Sequence, residues 1–180
     1  AVRTALGAFC LRLLELLEIA VSSRVIKLGH LRSEDPGTMA RELEQAARSE
    51  EAAGKPTWRQ SMRSMRCLMP ARGWYEWNEK APVRSESGRT VHQPYFLFSP
   101  TDEVIAFAGL WAVWERPGAS PIISCALLSR EAAPSIAAIH HRMPVVLRPE
   151  HYAAWLSAST SAQEVAAMIA NCRQDFEGYR

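Results

Sequence analysis

Two short segments hold the side chains best suited to proton transfer. Gly73-Trp74-Tyr75-Glu76-Trp77 sets one carboxylate among aromatic rings. Such a setting strips water from the carboxylate, raises its pKa toward neutrality and suits it to general acid–base work. In an alternating strand Trp74 and Glu76 point one way and Tyr75 and Trp77 the other. A Glu exposed at a strand rim is the plainer alternative. Ile139-His140-His141-Arg142-Met143-Pro144 sets an imidazole beside a guanidinium, an acid–base group next to an anion-binding one. Two adjacent histidines point in different directions and make a poor metal pair, and a hydrogen-bonded structural His is the plainer reading here. The third feature is the stretch from Ala52 to Tyr75, which holds Lys55, Arg59, Arg63, Arg66 and Arg72 and no acid. With Trp58, Trp74 and Trp77 it combines positive charge and stacking surface, as single-strand binding grooves do. A solvated basic helix face would use the same residues.

Elements must position these groups. Leu6, Phe9, Cys10, Leu13, Leu14 and Leu17 recur at helical spacing, with Arg12, Glu15 and Glu18 on the other side. The spacing predicts an amphipathic helix over residues 3–20 rather than a signal peptide. Ser22 to Leu28 reads as a short strand, Ser33 to Thr38 as a loop, and Met39 to Ala53 leans helical. Thr57 and Gln60 form a potential capping box for a helix ending near Arg66. That helix would carry Trp58, Met62 and Met65 on one face and Arg59, Arg63 and Arg66 on a neighbouring one. Cys67–Met69, Gly73–Trp77, Pro94–Phe98, Val104–Trp114, Ile122–Leu128 and Met143–Leu147 read as extended, with Asn78 to Thr90 as a hairpin connection. A short Ala-rich helix is expected over residues 132–138. Pro149 is placed to open a helix with Tyr152, Trp155 and Leu156, and Ser161 with Glu164 caps a last one. The pattern is a single α+β domain over residues 1–180, mainly antiparallel strands flanked by helices.

Composition narrows the function classes. The chain has 180 residues, Lys+Arg 21 against Asp+Glu 19, and a formal net charge of +2. A balance so near zero means any nucleic-acid affinity must come from local clustering. Cys10, Cys67, Cys125 and Cys172 are scattered with no C-x-x-C pair, which argues against a zinc site or a disulfide scaffold. The longest apolar run, Val104 to Trp114, is too short to span a bilayer. No G-x-S-x-G elbow, Gly-rich phosphate loop, H-E-x-x-H or G-x-G-x-x-G is present, and no metal or cofactor is implied. A cytoplasmic location is expected.

Taken together, the segments resemble one family, the SOS response-associated peptidase (SRAP) proteins. The likeness runs through Ala47-Arg48-Ser49-Glu50, Lys55-Pro56-Thr57-Trp58-Arg59 and Arg66-Cys67-Leu68-Met69-Pro70-Ala71-Arg72-Gly73-Trp74-Tyr75-Glu76-Trp77. It continues through Gln93-Pro94-Tyr95-Phe96, Ala108-Gly109-Leu110-Trp111 and Ile139-His140-His141-Arg142-Met143-Pro144-Val145. The resemblance implies a barrel-like α+β fold and a positively charged cleft for single-stranded DNA carrying abasic sites. It implies a nucleoid-associated bacterial protein acting as a monomer. It also implies a mature N-terminal Cys that condenses with the ring-opened abasic sugar to a thiazolidine, and an autoproteolytic peptidase activity. By the same likeness Glu76 and His140 match catalytic positions. Glu76 would hold the N-terminal amine and His140 would protonate the sugar oxygen. Arg48 and Arg142 match phosphate-contacting positions, and Trp77 lies beside the site as part of the DNA-binding set.

Some positions depart from the family pattern. The family begins Met-Cys-Gly-Arg and this chain Ala1-Val2-Arg3, with Cys10-Leu11-Arg12 as a faint echo. Residues 1–45 are expected to be divergent or incomplete relative to the family, and its last strand to be absent after residue 180. Ala46 stands where the family has Asn, and His141 where it usually has Asp. An alternative of a different class follows: a catalytically impaired paralogue that binds single-stranded DNA without forming the cross-link.

Overall fold

The computed structural model describes residues 27–28, 31–32, 48–102 and 104–180. The helix expected over residues 3–20, the loop Ser33–Thr38 and most of the helix expected over Met39–Ala53 lie outside these residues. The elements are β1 (Lys27–Leu28), β2 (Leu31–Arg32), α1 (Ser49–Ala52), α2 (Pro56–Ser64), β3 (Arg66–Ala71), β4 (Gly73–Arg84), β5 (Thr90–Phe98) and β6 (Ile105–Arg116). They continue with β7 (Ala119–Leu127), β8 (Ser129–Glu131), β9 (Arg142–Pro144), β10 (Val146–Leu147), a 3-10 turn (Pro149–His151), α3 (Tyr152–Leu156), α4 (Ala162–Ala170) and β11 (Glu177–Tyr179).

The fold is α+β, and every strand pair in its sheets is antiparallel. β6 is the spine. It pairs β3 on one side; on the other, β10 pairs its first half and β7 its second. A second sheet has the order β11-β5-β4. Ala108, Leu110, Val145 and Leu147 pack with Trp58, Met62, Trp155, Val165 and Met168 of the helices. Ile105, Phe107, Met69 and Val146 pack with Trp74 and Leu97 of the second sheet. The central sheet is therefore buried on both faces, which explains why β6 reads as a continuous apolar run instead of an alternation. Among the described residues no strand closes the two packed sheets into a ring. None of the described helices is long and apolar enough to cross a membrane.

Several local expectations shift. The α2 N-cap is Lys55, with Pro56 at the first helical position and no side-chain cap. Proline's fixed φ suits that position, so the helix starts ahead of the predicted Thr57 box. The Ser161–Glu164 capping box forms as expected, in both directions. β4 runs on to Arg84, past the end expected at Trp77, with a bulge between Asn78 and Pro82 that absorbs the proline. Residues 134–139 form successive turns in place of a helix; Ile136 and Ala137 N–H both donate to the Ala133 carbonyl. β9 and β10 break at Val145, whose N–H donates to Leu128 O and whose carbonyl accepts from Ala108 N–H. The chain's last element, β11, was not expected as a strand; it pairs with β5.

Arg66 is the largest correction. It opens β3 beyond the end of α2 and is 6% exposed. Its Nε donates to Trp155 O at 2.6 Å, its Nη1 to Met62 O at 2.6 Å and Arg63 O at 2.7 Å, and its Nη2 to Ser157 O. The guanidinium also lies 5.7 Å from the Trp155 ring centroid. Burial lowers its pKa. The basic run thus loses one member to a structural cross-brace between α2, β3 and α3, whereas Arg59, Arg63 and Arg72 are exposed.

Candidate functional site

Glu76 sits in β4, in register with Tyr95 of β5. Alternation along the strand sends Trp74 and Glu76 inward, each 1% exposed, and leaves Tyr75 44% exposed. Trp74 fixes this stretch by edge contacts to Phe107 at 5.9 Å and Phe176 at 5.0 Å between ring centroids. Gly73 lets the two strands close here: a Cβ on it would lie 2.2 Å from the Leu97 carbonyl oxygen. The carboxylate of Glu76 is thereby carried below the sheet surface, as the aromatic setting in the sequence suggested.

His140 ends the turns that follow Ala133, and its backbone N–H donates to Ile136 O. Its ring is anchored over the next strand. Nδ1 lies 2.9 Å from Arg142 O and 3.1 Å from Arg142 N. With Nδ1 protonated the ring donates to the carbonyl; with Nδ1 bare it accepts the Arg142 N–H. Glu76 Oε1 lies 3.9 Å from His140 Nδ1, with both side chains largely buried. The His141 ring packs on the His140 ring, centroids 4.5 Å apart. The two lie at ion-pair distance, beyond a direct hydrogen bond, so a proton passes between them through one water or after a small approach.

Arg142 opens β9, and its Nη2 donates to Ser129 Oγ at 3.0 Å. Arg48 pairs its backbone with the same residue, Ser129 of β8, in an isolated parallel bridge. Its carbonyl also accepts from Ala52 N–H, which starts α1. The Arg142 guanidinium and the Arg48 backbone thus both meet β8, and Arg142 is two residues from His140. A guanidinium so placed can attract an anion such as phosphate. Trp77 follows Glu76 in β4 and stands on the opposite face of the strand, half-buried. The structure therefore brings Glu76, His140 and Arg142 together, pairs the Arg48 backbone with Ser129 beside them, and leaves Trp77 on the other face of β4. Sequence reasoning missed Ser129, which touches both arginines. Its signal, a serine closing the apolar stretch Ile122–Leu128, did not distinguish it from other serines. Among the described residues no group of three His, Cys, Asp or Glu side chains forms a metal-ligand set.

Known proteins share this architecture. The crystal structure of a protein from Bacteroides thetaiotaomicron superposes with a TM-score of 0.65 at 24% identity, covering 86% of this chain and 65% of that one. The abasic site processing protein YoqW of Bacillus subtilis (strain 168) is 32% identical over 111 residues, 62% of this chain and 46% of that protein. The abasic site processing protein YoaM of the same organism is 29% identical over 136 residues, 74% of this chain and 57% of that protein. The chain spans about half the length of these curated relatives. The family model for the SOS response associated peptidases (SRAP) matches residues 29–180, the stretch that carries Arg48, Glu76, His140 and Arg142, and the chain belongs to that family.

Proposed function

We propose that this protein recognises abasic sites in single-stranded DNA and that its Glu76 and His140 serve the family reaction, covalent capture through an N-terminal Cys. One observation carries this reading: Glu76 Oε1 lies 3.9 Å from His140 Nδ1, in a site next to the Arg142 guanidinium on Ser129. Relatives named as abasic site processing proteins support the substrate class.

The chemistry needs a proton donor and a proton acceptor at one carbon. His140 gives a proton to the sugar ring oxygen and the anomeric hydroxyl gives one up to water as the abasic deoxyribose opens to its aldehyde. The N-terminal amine, held by Glu76, attacks that aldehyde carbon and gives up a proton to the carboxylate, and the carbonyl oxygen takes one up to become the carbinolamine hydroxyl. Loss of water from the carbinolamine leaves an imine, and the neighbouring thiol adds across it, sulfur to carbon and its proton to nitrogen, to close a thiazolidine. Arg48 and Arg142 hold the flanking phosphates, so the aldehyde stays in reach of the amine. Trp77 adds stacking surface for a neighbouring base. Autoproteolytic hydrolysis of the peptide bond ahead of the Cys would free that amine, with the same proton pair activating the water and protonating the leaving nitrogen.

The test uses the full-length protein with its native amino terminus and a labelled single-stranded oligonucleotide carrying one abasic site. A heat-stable band of reduced mobility on a denaturing gel, absent with the intact oligonucleotide, is expected. Equal binding of both strands with no adduct would overturn covalent capture and leave a binding module, whose affinity would fall steeply with salt.

A further inference from the structure

The strand that carries Glu76 inward carries other side chains outward. Gly73, Tyr75 and Trp77 alternate with Trp74 and Glu76 along β4. β5 sets Phe98, Phe96 and Pro94 opposite them in register, and β11 sets Tyr179 opposite Phe96. The rings form one connected set. Centroids are 5.1 Å apart for Tyr75–Phe96, 5.7 Å for both Phe96–Tyr179 and Phe98–Tyr179, and 6.3 Å for Phe96–Phe98, whose planes differ by 9°. Tyr75 is 44% and Tyr179 59% exposed, so the set faces solvent and is not core. The Phe96 ring covers Gly73, where a Cβ would lie 2.7 Å from Phe96 Cζ.

We propose that this outer face of the β11-β5-β4 sheet is a base-stacking track that extends the path of single-stranded DNA past Trp77. The inference rests on the single-strand reading given above and adds a second contact region to it. The rings are too closely spaced for bases to slip between them, because a sandwiched base needs about twice the ~3.4 Å stacking distance. Bases therefore lie against the ring faces and edges, a mode that tolerates any sequence. Phosphates have partners at both ends of the track. Exposed Arg72 immediately precedes Gly73, and exposed Lys80 and Arg84 lie further along β4 beyond Trp77. The exposed acid Glu177 pairs with Phe98 on the far strand, β11, which directs the backbone along the β4 edge. Trp77 shares this outer face, opposite the one that carries Glu76, and β4 is the edge strand of its sheet, so the strand would reach the track from the candidate site around that edge.

The test compares the wild-type full chain with Tyr75→Ala/Tyr179→Ala and Tyr75→Phe/Tyr179→Phe. Each is titrated with oligo-dT of 4 and of 15 nucleotides, with circular dichroism to check the fold. The alanine pair should weaken binding of the longer strand roughly tenfold or more and leave the shorter one unchanged. The phenylalanine pair should restore it, and the slope of log affinity against log salt should not change, because rings release no counterions. Unchanged affinity for the longer strand, an equal loss on both lengths, or loss of a self-association of the chain in place of DNA binding would each overturn the track. Failure of the wild type to bind either strand would refute the proposed function itself, a result separable from failure of the track alone.

Discussion

Replacing Arg66 separates two roles that one basic residue in such a run could play. If it holds the fold, Arg66→Met removes a buried cation and leaves the carbonyls of Met62, Arg63, Trp155 and Ser157 without their guanidinium donor. Methionine fills most of the volume, so the loss is mainly polar. Each charge-assisted hydrogen bond contributes about 1.5–3 kcal/mol. Met62 and Arg63 carbonyls lie at the C-terminal end of α2, where water can take over part of the role. The net cost is therefore placed at about 3–5 kcal/mol, from the two most buried carbonyls, Met62 O and Trp155 O, left unsatisfied at about 1–3 kcal/mol each. For a chain of this size each kcal/mol shifts Tm by roughly 2–4 °C, so a fall of about 10 °C is expected. Urea titration followed by circular dichroism gives the free energy, and the DNA salt slope is measured in parallel. Arg66→Lys, with three donors and no planar fork, should recover part of the loss. A stability change below about 1 kcal/mol, together with a salt slope shallower by one counterion, would refute the reasoning and return Arg66 to the binding surface.

Gly73→Ala should destabilise by about 2 kcal/mol or more, read as a lower urea midpoint, because its Cβ would meet the backbone of β5 and backbone cannot rotate away. The Arg173 guanidinium hydrogen-bonds Asp175 at 2.5 Å and also Asp102, and holds both carboxyl groups below the usual carboxylate range. Because the folded pKa values are depressed, this contribution to stability is complete above about pH 4 and is lost as pH falls through them. Tm should therefore drop on acidification below pH 4, and less so in Asp102→Asn/Asp175→Asn; identical pH profiles would contradict the assignment. Ser129→Ala removes the acceptor of Arg142 Nη2 and should weaken single-strand binding about tenfold with little change in Tm.

The parts of the fold written in local patterns were legible. The unbroken apolar stretch of β6 marked a strand buried on both faces, and alternation through Trp74, Tyr75 and Glu76 foretold that Trp74 and Glu76 share one face and Tyr75 the other, while burial of the first pair came from the packing. Ser161 and Glu164 capped α4 because a capping box depends only on residues within one turn. Tertiary context decided the rest. The distal half of β4 is polar and contains Pro82, yet its pairing with β5 keeps it extended. Val145 splits one expected strand in two because its backbone bonds reach Ala108 and Leu128. Nothing within one helical turn distinguished Arg66 from Arg59 and Arg63; its acceptors include Trp155 and Ser157, far along the chain. The approach of Glu76 to His140 belongs to the same class, since the two meet only after β5 through β8 have been laid between them.

The most direct test of that approach is the rate of adduct formation on abasic single-stranded DNA by the full-length protein and its Glu76→Gln variant. The amide keeps the shape of the buried side chain and removes its capacity to take a proton. Capture should slow by about 10²-fold or more while affinity for the intact strand stays within a factor of two. Equal capture rates for the two proteins would contradict the claim that Glu76 and His140 form the proton-transferring pair.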